Sequence, residues 1–286
     1  MAIRRLALVV NRSKSGAEQI VQAVRSAAQA AGVTLEVADG WPVDRKVLRG
    51  ADACVVVGGD GTFLGVAEAA ALEGVPLFGI NRGKLGFLAA YPGEDVAATV
   101  RSVLAGDCRK EERALLEVRF ADGSFALALN DVVLKTREAF RMGRFSVRAD
   151  GAPVNEYRAD GLILATPTGT SAYSLAAGGP LVDPAASVIA LTPICPHTMS
   201  NRSVVFDGEA ELEVRSEDVG QLGVSVDGRP TLDAVGRLPL IVRTAKVRLG
   251  LLRPKDLSHF DVLRSKLKWG GGGGERRLNN TPKRAQ

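Results

Sequence analysis

The chain has 286 residues, 46% hydrophobic and 24% charged, with 32 glycines and 5% aromatics, the composition of a soluble enzyme large enough to bury a core. Its net charge of +5 includes +3 from the tail, where Arg276, Arg277, Lys283 and Arg284 outnumber Glu275, so the body is near +2 and no nucleic-acid partner is expected. No stretch reaches the ~18 apolar residues of a membrane span, and the run after Arg4 and Arg5 is too short for a secretory signal, so no membrane partner and a cytoplasmic location are expected.

In chain order, residues 6–10 predict a strand. Ser15-Gly16-Ala17-Glu18 has capping-box spacing and opens an alanine-rich helix to about Ala31. Residues 33–37 predict a second strand, and Ala53–Val57 a third, apolar at every position as in a parallel sheet covered on both faces. A glycine turn follows, then a helix over about 62–72 and a strand over 75–80. This alternation predicts a doubly wound α/β layer.

Beyond residue 110 the period changes to two. Leu116, Val118 and Phe120 alternate with Leu115, Glu117 and Arg119, and Phe125, Leu127 and Leu129 with small residues. Val224, Val226 and residues 242–249 repeat the pattern, which predicts a mainly antiparallel β domain. A helix start is expected at 171–177, after Thr166-Pro167-Thr168-Gly169-Thr170. Leu257, Phe260, Leu263 and Leu267 predict an amphipathic helix over 256–269 that docks on the body. The division expected is 1–108 (α/β), 109–255 (β-rich), 256–269 (helix) and 270–286 (a glycine-rich, disordered tail).

Cys54, Cys108 and Cys195 lack CxxC spacing and read as thiols of a reducing compartment. With His197 and His259 the only histidines, a zinc site or histidine triad is not expected, and no metal-ligating set is assigned.

The sharpest local feature is Val57-Gly58-Gly59-Asp60-Gly61-Thr62, between a buried strand and a helix. Gly58, Gly59 and Gly61 let backbone approach a ligand, and with Thr62 at the helix N-terminus they can cradle a phosphate. The turn is no P-loop, since it lacks Gly-Lys-Ser/Thr. It is no dinucleotide fingerprint either, since Leu64 stands where glycine is needed. Gly169-Thr170-Ser171-Ala172-Tyr173 is likewise no serine-hydrolase elbow. A carboxylate beside a phosphate-binding turn is unfavourable unless it abstracts a proton or binds metal. The bland reading is that Asp60 caps the helix.

Gly-Gly-Asp-Gly-Thr is shared by several kinase families, but longer segments discriminate. These are Gly79-Ile80-Asn81-Arg82-Gly83-Lys84-Leu85-Gly86-Phe87-Leu88, the pair Asn130-Asp131, the run from Asp160-Gly161 through Thr166-Pro167-Thr168-Gly169-Thr170-Ser171-Ala172-Tyr173-Ser174 to Ala177-Gly178-Gly179-Pro180, and His197-Thr198-Met199-Ser200-Asn201-Arg202. Together, in order and over residues 5–265, they closely resemble the bacterial NAD kinase family.

That resemblance implies a Rossmann-like first domain, a β-rich dinucleotide-binding domain and catalysis at the cleft between them. It implies phosphoryl transfer from ATP or polyphosphate to the adenosine ribose 2′-hydroxyl of NAD, giving NADP, with a divalent cation, Mg²⁺ with ATP. A homodimer or homotetramer is implied as well. Carried over by position, Asp60 is the general base with Gly61 beside it. Asn130 and Asp131 hold the ribose and base, Arg141, Arg158 and Asp160 line the site, and Ser171, Ala172, Tyr173, Ser174, Leu175 and Ala176 wrap it. Phe87 and Tyr173 offer aromatic faces. Arg229 in Val226-Asp227-Gly228-Arg229 stands where many relatives carry Gln.

Read without the resemblance, Asn130-Asp131 is a turn, Phe87 and Tyr173 are core aromatics, Arg141 and Arg158 are surface charges and Ser171 is a cap. Arg12 and Lys14 are solvated charges before they are phosphate ligands. Two rival functions remain at this level: a diacylglycerol-type lipid kinase sharing the turn, and a non-catalytic NAD(P) sensor.

Overall fold

A computed structural model describes residues 2–11, 16–38, 43–83, 85–138, 141–229 and 232–269. The expected tail, Ser15 of the expected capping box, Arg12 and Lys14 lie outside these residues.

The first sheet has seven strands. Thr34–Val37, Arg5–Val10, Ala53–Val57 and Leu77–Asn81 run parallel in that spatial order. Their side chains alternate between two covered faces, which is why every position of Ala53–Val57 is buried. Leu6, Leu8, Val55 and Val57 pack under helices α1 (Ala17–Ala30) and α3 (Val96–Leu104). Ala7, Val9, Cys54 and Val56 pack under α2 (Asp60–Glu73). Helix α3 begins at Asp95, whose side chain accepts the N–H of Ala98, and buries Val96, Val100 and Val103. Gly16 caps α1 in the left-handed region, with no side-chain cap bond.

Three later segments complete this sheet, the short strand Tyr91–Pro92 pairing parallel with the end of Leu77–Asn81. Leu249–Arg253 pairs parallel to Leu77–Asn81, and Arg109–Arg113 pairs antiparallel beyond it. The sheet therefore crosses the sequence-based boundary at 108 and recovers a strand from the far end of the β region. The reason is burial. Leu249, Leu251 and Leu252 are at most 5% exposed and fill the two cores of the α/β layer.

The second unit is a sandwich of two six-stranded sheets, with antiparallel pairing throughout. Leu116, Val118, Phe145, Val147, Leu212 and Val242 of one sheet meet Val132, Leu134, Leu162, Leu164, Leu191 and Val224 of the other. Gly161–Ala165 is central and buried on both faces. The period-two reading of 116–120 holds, but Phe125 is 57% exposed at the end of its strand. The expected run 242–249 is broken, since one strand ends at Thr244 and the next begins at Leu249.

The units share a core: Leu115, Leu127, Leu129 and Ala245 pack with Phe63, Val66 and Ala67 of α2. Helix α4 (Tyr173–Ala176) follows a 3₁₀ turn at Thr168–Ser171. Helix α5 spans His259–Leu267, shorter than the expected 256–269, because a capping box between Ser258 and Asp261 sets its start. It docks through Leu257 and Val262, against Ala90, Leu85 and Phe87, and Leu263, next to Val262 in sequence, is buried as well. Phe260, expected on the docking face, is 53% exposed, because adjacent Val262 and Leu263 take the buried positions instead.

Candidate active site

Strand Ala53–Val57 leads into Gly58 and Gly59, and Asp60 is the first residue of α2. Asp60 does not cap its helix: the N-cap is Gly59, with no side-chain cap bond. Its carboxylate points across to the next loop. Oδ2 accepts the N–H of Phe87 at 3.0 Å, and Oδ1 accepts those of Leu88 at 3.1 Å and Ala89 at 3.0 Å. Three consecutive peptide donors thus fix the acid in one orientation. Gly86 makes this closure possible, since a Cβ there would overlap Asp60 Oδ1. At Gly58 a Cβ would press on Thr62, whereas at Gly59 and Gly61 it would meet nothing within 4 Å. The turn is packed on one side and open on the other, as a phosphate cradle requires.

The second half of the site hangs on Asp227. This residue sits at φ 52° with 7% exposure, just past strand Leu222–Val226. Its carboxylate accepts the N–H groups of Leu129 and Asn130 at 2.7 Å and of Asp131 at 3.2 Å. Asp131 answers by accepting the Asp227 N–H at its carbonyl, at 2.9 Å. Thr166 ties the same corner, its Oγ1 donating to the Leu129 carbonyl at 2.6 Å and accepting from the Gly169 N–H at 3.0 Å. Gly169 crosses so close to Asn130 that any Cβ would collide with the Asn130 carbonyl. The long signature therefore folds as a backbone brace under Asn130-Asp131.

Above this brace lies a cavity of about 560 Å³, lined by Asn130, Asp131, Ala172, Tyr173 and Asp227, and by Leu64 of α2. Leu64 stands one helical turn after Asp60, on the same face, so the helix that carries the acid also walls the cavity. Burial pushes the Asp131 carboxyl up to about 7, the Asp227 charge adds to the rise, and the Tyr173 N–H opposes it. Burial raises Asp227 too, against its three backbone donors and the Arg229 charge.

The structure does not gather every residue expected at the site. Arg158 lines a separate cavity of about 680 Å³, with Arg144, Tyr157 and Arg215. Arg141 pairs with Glu138 at 3.0 Å, both exposed. Asp160 lies between strands, its carbonyl accepting from Thr136 N–H at 2.9 Å and Oγ1 at 3.2 Å. Ser171 Oγ bonds the Thr168 carbonyl at 3.0 Å, and buried Ser174 exchanges a hydroxyl bond with Thr192 at 3.0 Å. The Ser171 hydroxyl serves the local turn, and that of Ser174 ties α4 to strand Val188–Ile194. Leu175 and Ala176 complete α4. Phe87 is half-buried beneath the Lys266 ammonium, 5.9 Å from its ring centroid.

Arg229 forms an ion pair with Glu68 of α2 and donates to the carbonyls of Leu127 at 2.8 Å and Val226 at 3.0 Å. Its guanidinium is engaged in joining the two units.

Residue-type reasoning missed Asp227 and Glu68 as working parts. The only signal was an acid-glycine pair closing an apolar strand at 226–228, which any β-turn produces. Among the described residues, no cluster of three or more His, Cys, Asp or Glu could hold a metal ion, and no helix is long and apolar enough to cross a membrane.

A parallel α/β layer carries an acid-bearing glycine turn, and the helix that follows the turn walls a β-sandwich cavity through Leu64, an arrangement found in two-domain nucleotide-binding proteins. Residues 42–108 match the model of the ATP-NAD kinase N-terminal domain, and residues 129–252 that of the C-terminal domain. The chain is 41% identical over 230 residues to an NAD kinase of Hydrogenovibrio crunogenus (78% of this chain, 79% of that one). It is 36% identical over 282 residues to one of Chromobacterium violaceum (93% and 97%). A crystal structure of an NAD kinase from Archaeoglobus fulgidus in complex with ATP superposes with a TM-score of 0.75 at 26% identity (92% of this chain, 98% of that one). Yeast NADH kinase complexed with NADH shares the fold, with a TM-score of 0.81 at 21% identity (98% and 91%). The chain belongs to the NAD kinase family, and it is an enzyme of that class.

Proposed function

We propose that the protein transfers the γ-phosphoryl group of ATP, or the terminal phosphoryl of polyphosphate, to the 2′-hydroxyl of NAD's adenosine ribose, giving NADP. The observation that carries this is the placement of Asp60 on the α2 face that also walls the cavity of Asn130, Asp131 and Tyr173.

The ribose hydroxyl gives its proton to Asp60, its oxygen bonds to the γ-phosphorus, and the bond from that phosphorus to the bridging oxygen breaks, releasing ADP. Such a transition state is loose, so positioning and charge neutralisation dominate. The three N–H donors on Asp60 hold the acid in place while a free lone pair faces the hydroxyl. Open backbone at Gly59 and Gly61 meets phosphate, and Mg²⁺ arrives with ATP as part of the substrate. Asn130 and the buried carboxyl of Asp131 present acceptors suited to the hydroxyl and amino groups of a nucleoside, and Asp227 holds their backbone in place from beneath. Tyr173, 39% exposed, offers a ring face. Ser171, Ala172, Ser174, Leu175, Ala176, Arg141, Arg158 and Asp160 belong to the dinucleotide site on the family resemblance. For the two arginines the reading includes a homodimer or homotetramer that brings separate surfaces together. We place the enzyme in the cytoplasm.

The test is NADP formation by purified protein with Mg²⁺ and each donor in turn. Asp60→Asn should retain NAD binding and lose at least ~10²-fold in turnover. Turnover near wild type in that variant would refute the assignment.

A further inference from the structure

The loop that holds Asp60 is itself held from behind. Arg253 closes strand Leu249–Arg253 with its side chain 4% exposed. One of its terminal nitrogens donates to the carbonyl of Phe87 at 2.9 Å. That carbonyl belongs to the peptide whose other end is the Leu88 N–H, which donates to Asp60 Oδ1 at 3.1 Å. A single peptide plane therefore stands between a buried guanidinium and the acid, bonded to the cation through its oxygen and to the anion through its N–H. A peptide polarised at its carbonyl is a stronger donor at its nitrogen, and burial strengthens the effect.

The charge around Arg253 is in excess. Its Nε lies 3.7 Å from Glu111, without a hydrogen-bond partner of its own. Glu111 also serves Arg113 and, at 2.6 Å, Arg109. One carboxylate is thus shared among three guanidiniums. Half-buried His259 is held below its ordinary range by burial and then by the Arg113 and Arg253 charges, so it favours its neutral form and neither adds to nor offsets the positive charge. Positive charge left over at Arg253 acts along the shortest bonded route, through the 87–88 peptide.

We infer that Arg253 is a positioning residue for Asp60, acting through the Phe87–Leu88 peptide. This deepens, and rests on, the reading of Asp60 as the group that accepts the ribose proton. Leu249–Arg253, the last strand among the described residues, is thereby linked to the glycine turn, and its insertion into the first sheet has a functional consequence.

The experiment combines kinetics with an amide signal that needs no turnover. The chain has two Phe–Leu pairs, Phe63-Leu64 and Phe87-Leu88, so labelling Phe carbonyl carbons with ¹³C and Leu nitrogens with ¹⁵N gives two selected amide signals. Arg253→Met should move the Leu88 signal and leave that of Leu64 in place, and Asp60→Asn should move the same one. Arg253→Met should lower kcat about 10–100-fold while KM for NAD stays within about 2-fold. Arg253→Lys, which keeps one donor and the charge, should recover most of kcat, and it carries the test if the Met variant fails to fold. An unmoved Leu88 signal, a loss carried by KM, or no recovery with Lys would overturn the proposal. If wild-type protein makes no NADP, the reading of Asp60 fails instead, while the amide signals still report whether the bonded route exists.

Discussion

Glu68 of helix α2 and Arg229 of the sandwich form an ion pair across the boundary between the two units. Glu68 also accepts the Leu127 N–H at 2.8 Å, and Arg229 donates to the Leu127 carbonyl at 2.8 Å, so both grip the same sandwich residue. Because α2 starts at Asp60, this clasp fixes the acid relative to the cavity. Arg229→Gln should cost about 1–2 kcal/mol by thermal unfolding, for a pair that is only partly shielded from water. It should lower kcat more than it raises KM for NAD. A rise confined to KM would return Arg229 to the dinucleotide contact implied by the family pattern.

Asp227 carries the other half of the site. Removing its charge leaves the buried N–H groups of Leu129, Asn130 and Asp131 with a weaker acceptor. Asp227→Asn should cost about 1–3 kcal/mol and raise KM for NAD several-fold, since Asn130 loses its fixed orientation. Urea unfolding and steady-state kinetics on the same preparation measure both.

Asp131 gives a pH dependence with a definite sign. Its carboxyl is raised from 3.8 to about 7 by burial and then by the Asp227 charge. Between those values the native state holds a proton that the unfolded chain has released. The stabilisation is full below pH 3.8 and disappears as pH rises through about 7. Thermal stability should therefore fall from pH 5 to pH 8, with a contribution on the order of a few kcal/mol from this group. Asp131→Asn should flatten that slope. An unchanged slope in the variant would show that other groups produce it.

The parts legible in the sequence were those set by local pattern. Ala53–Val57 announces a covered parallel strand because all five positions are apolar, and the glycine turn follows at once. The β domain shows in the alternation at Leu116 and Val118. What escaped depends on distant partners. Leu249–Arg253 falls inside the expected β-rich stretch 109–255, since its apolar run carries no mark of the sheet it joins, and only pairing with Leu77–Asn81 decides. Asp227 acts on backbone 96 to 98 positions away, and no residue-type signal encodes that contact. Phe260 satisfies helical spacing yet faces outward, because spacing defines a stripe and not which edge of it meets the body. Asp60 stands out by the chemical awkwardness of an acid in an anion-binding turn, and its role as a bonded hub of the 87–89 loop is visible only in three dimensions.

The glycines around Asp60 separate folding from ligand approach. Gly86 lies against Asp60 Oδ1, so Gly86→Ala must displace either the loop or the acid. That variant should lose stability by about 1–3 kcal/mol and most of its kcat. Gly59 has extended backbone at φ −92°, and a Cβ there meets nothing within 4 Å of the protein. Gly59→Ala should therefore fold with unchanged or slightly raised melting temperature, because alanine narrows the unfolded ensemble. If phosphate passes over this peptide, the added methyl meets the donor instead, and KM for ATP should rise at least several-fold while NAD binding is preserved. Differential scanning calorimetry beside ATP-dependent kinetics measures the two effects independently. Normal ATP kinetics in Gly59→Ala would move the phosphate path away from the open side of the turn.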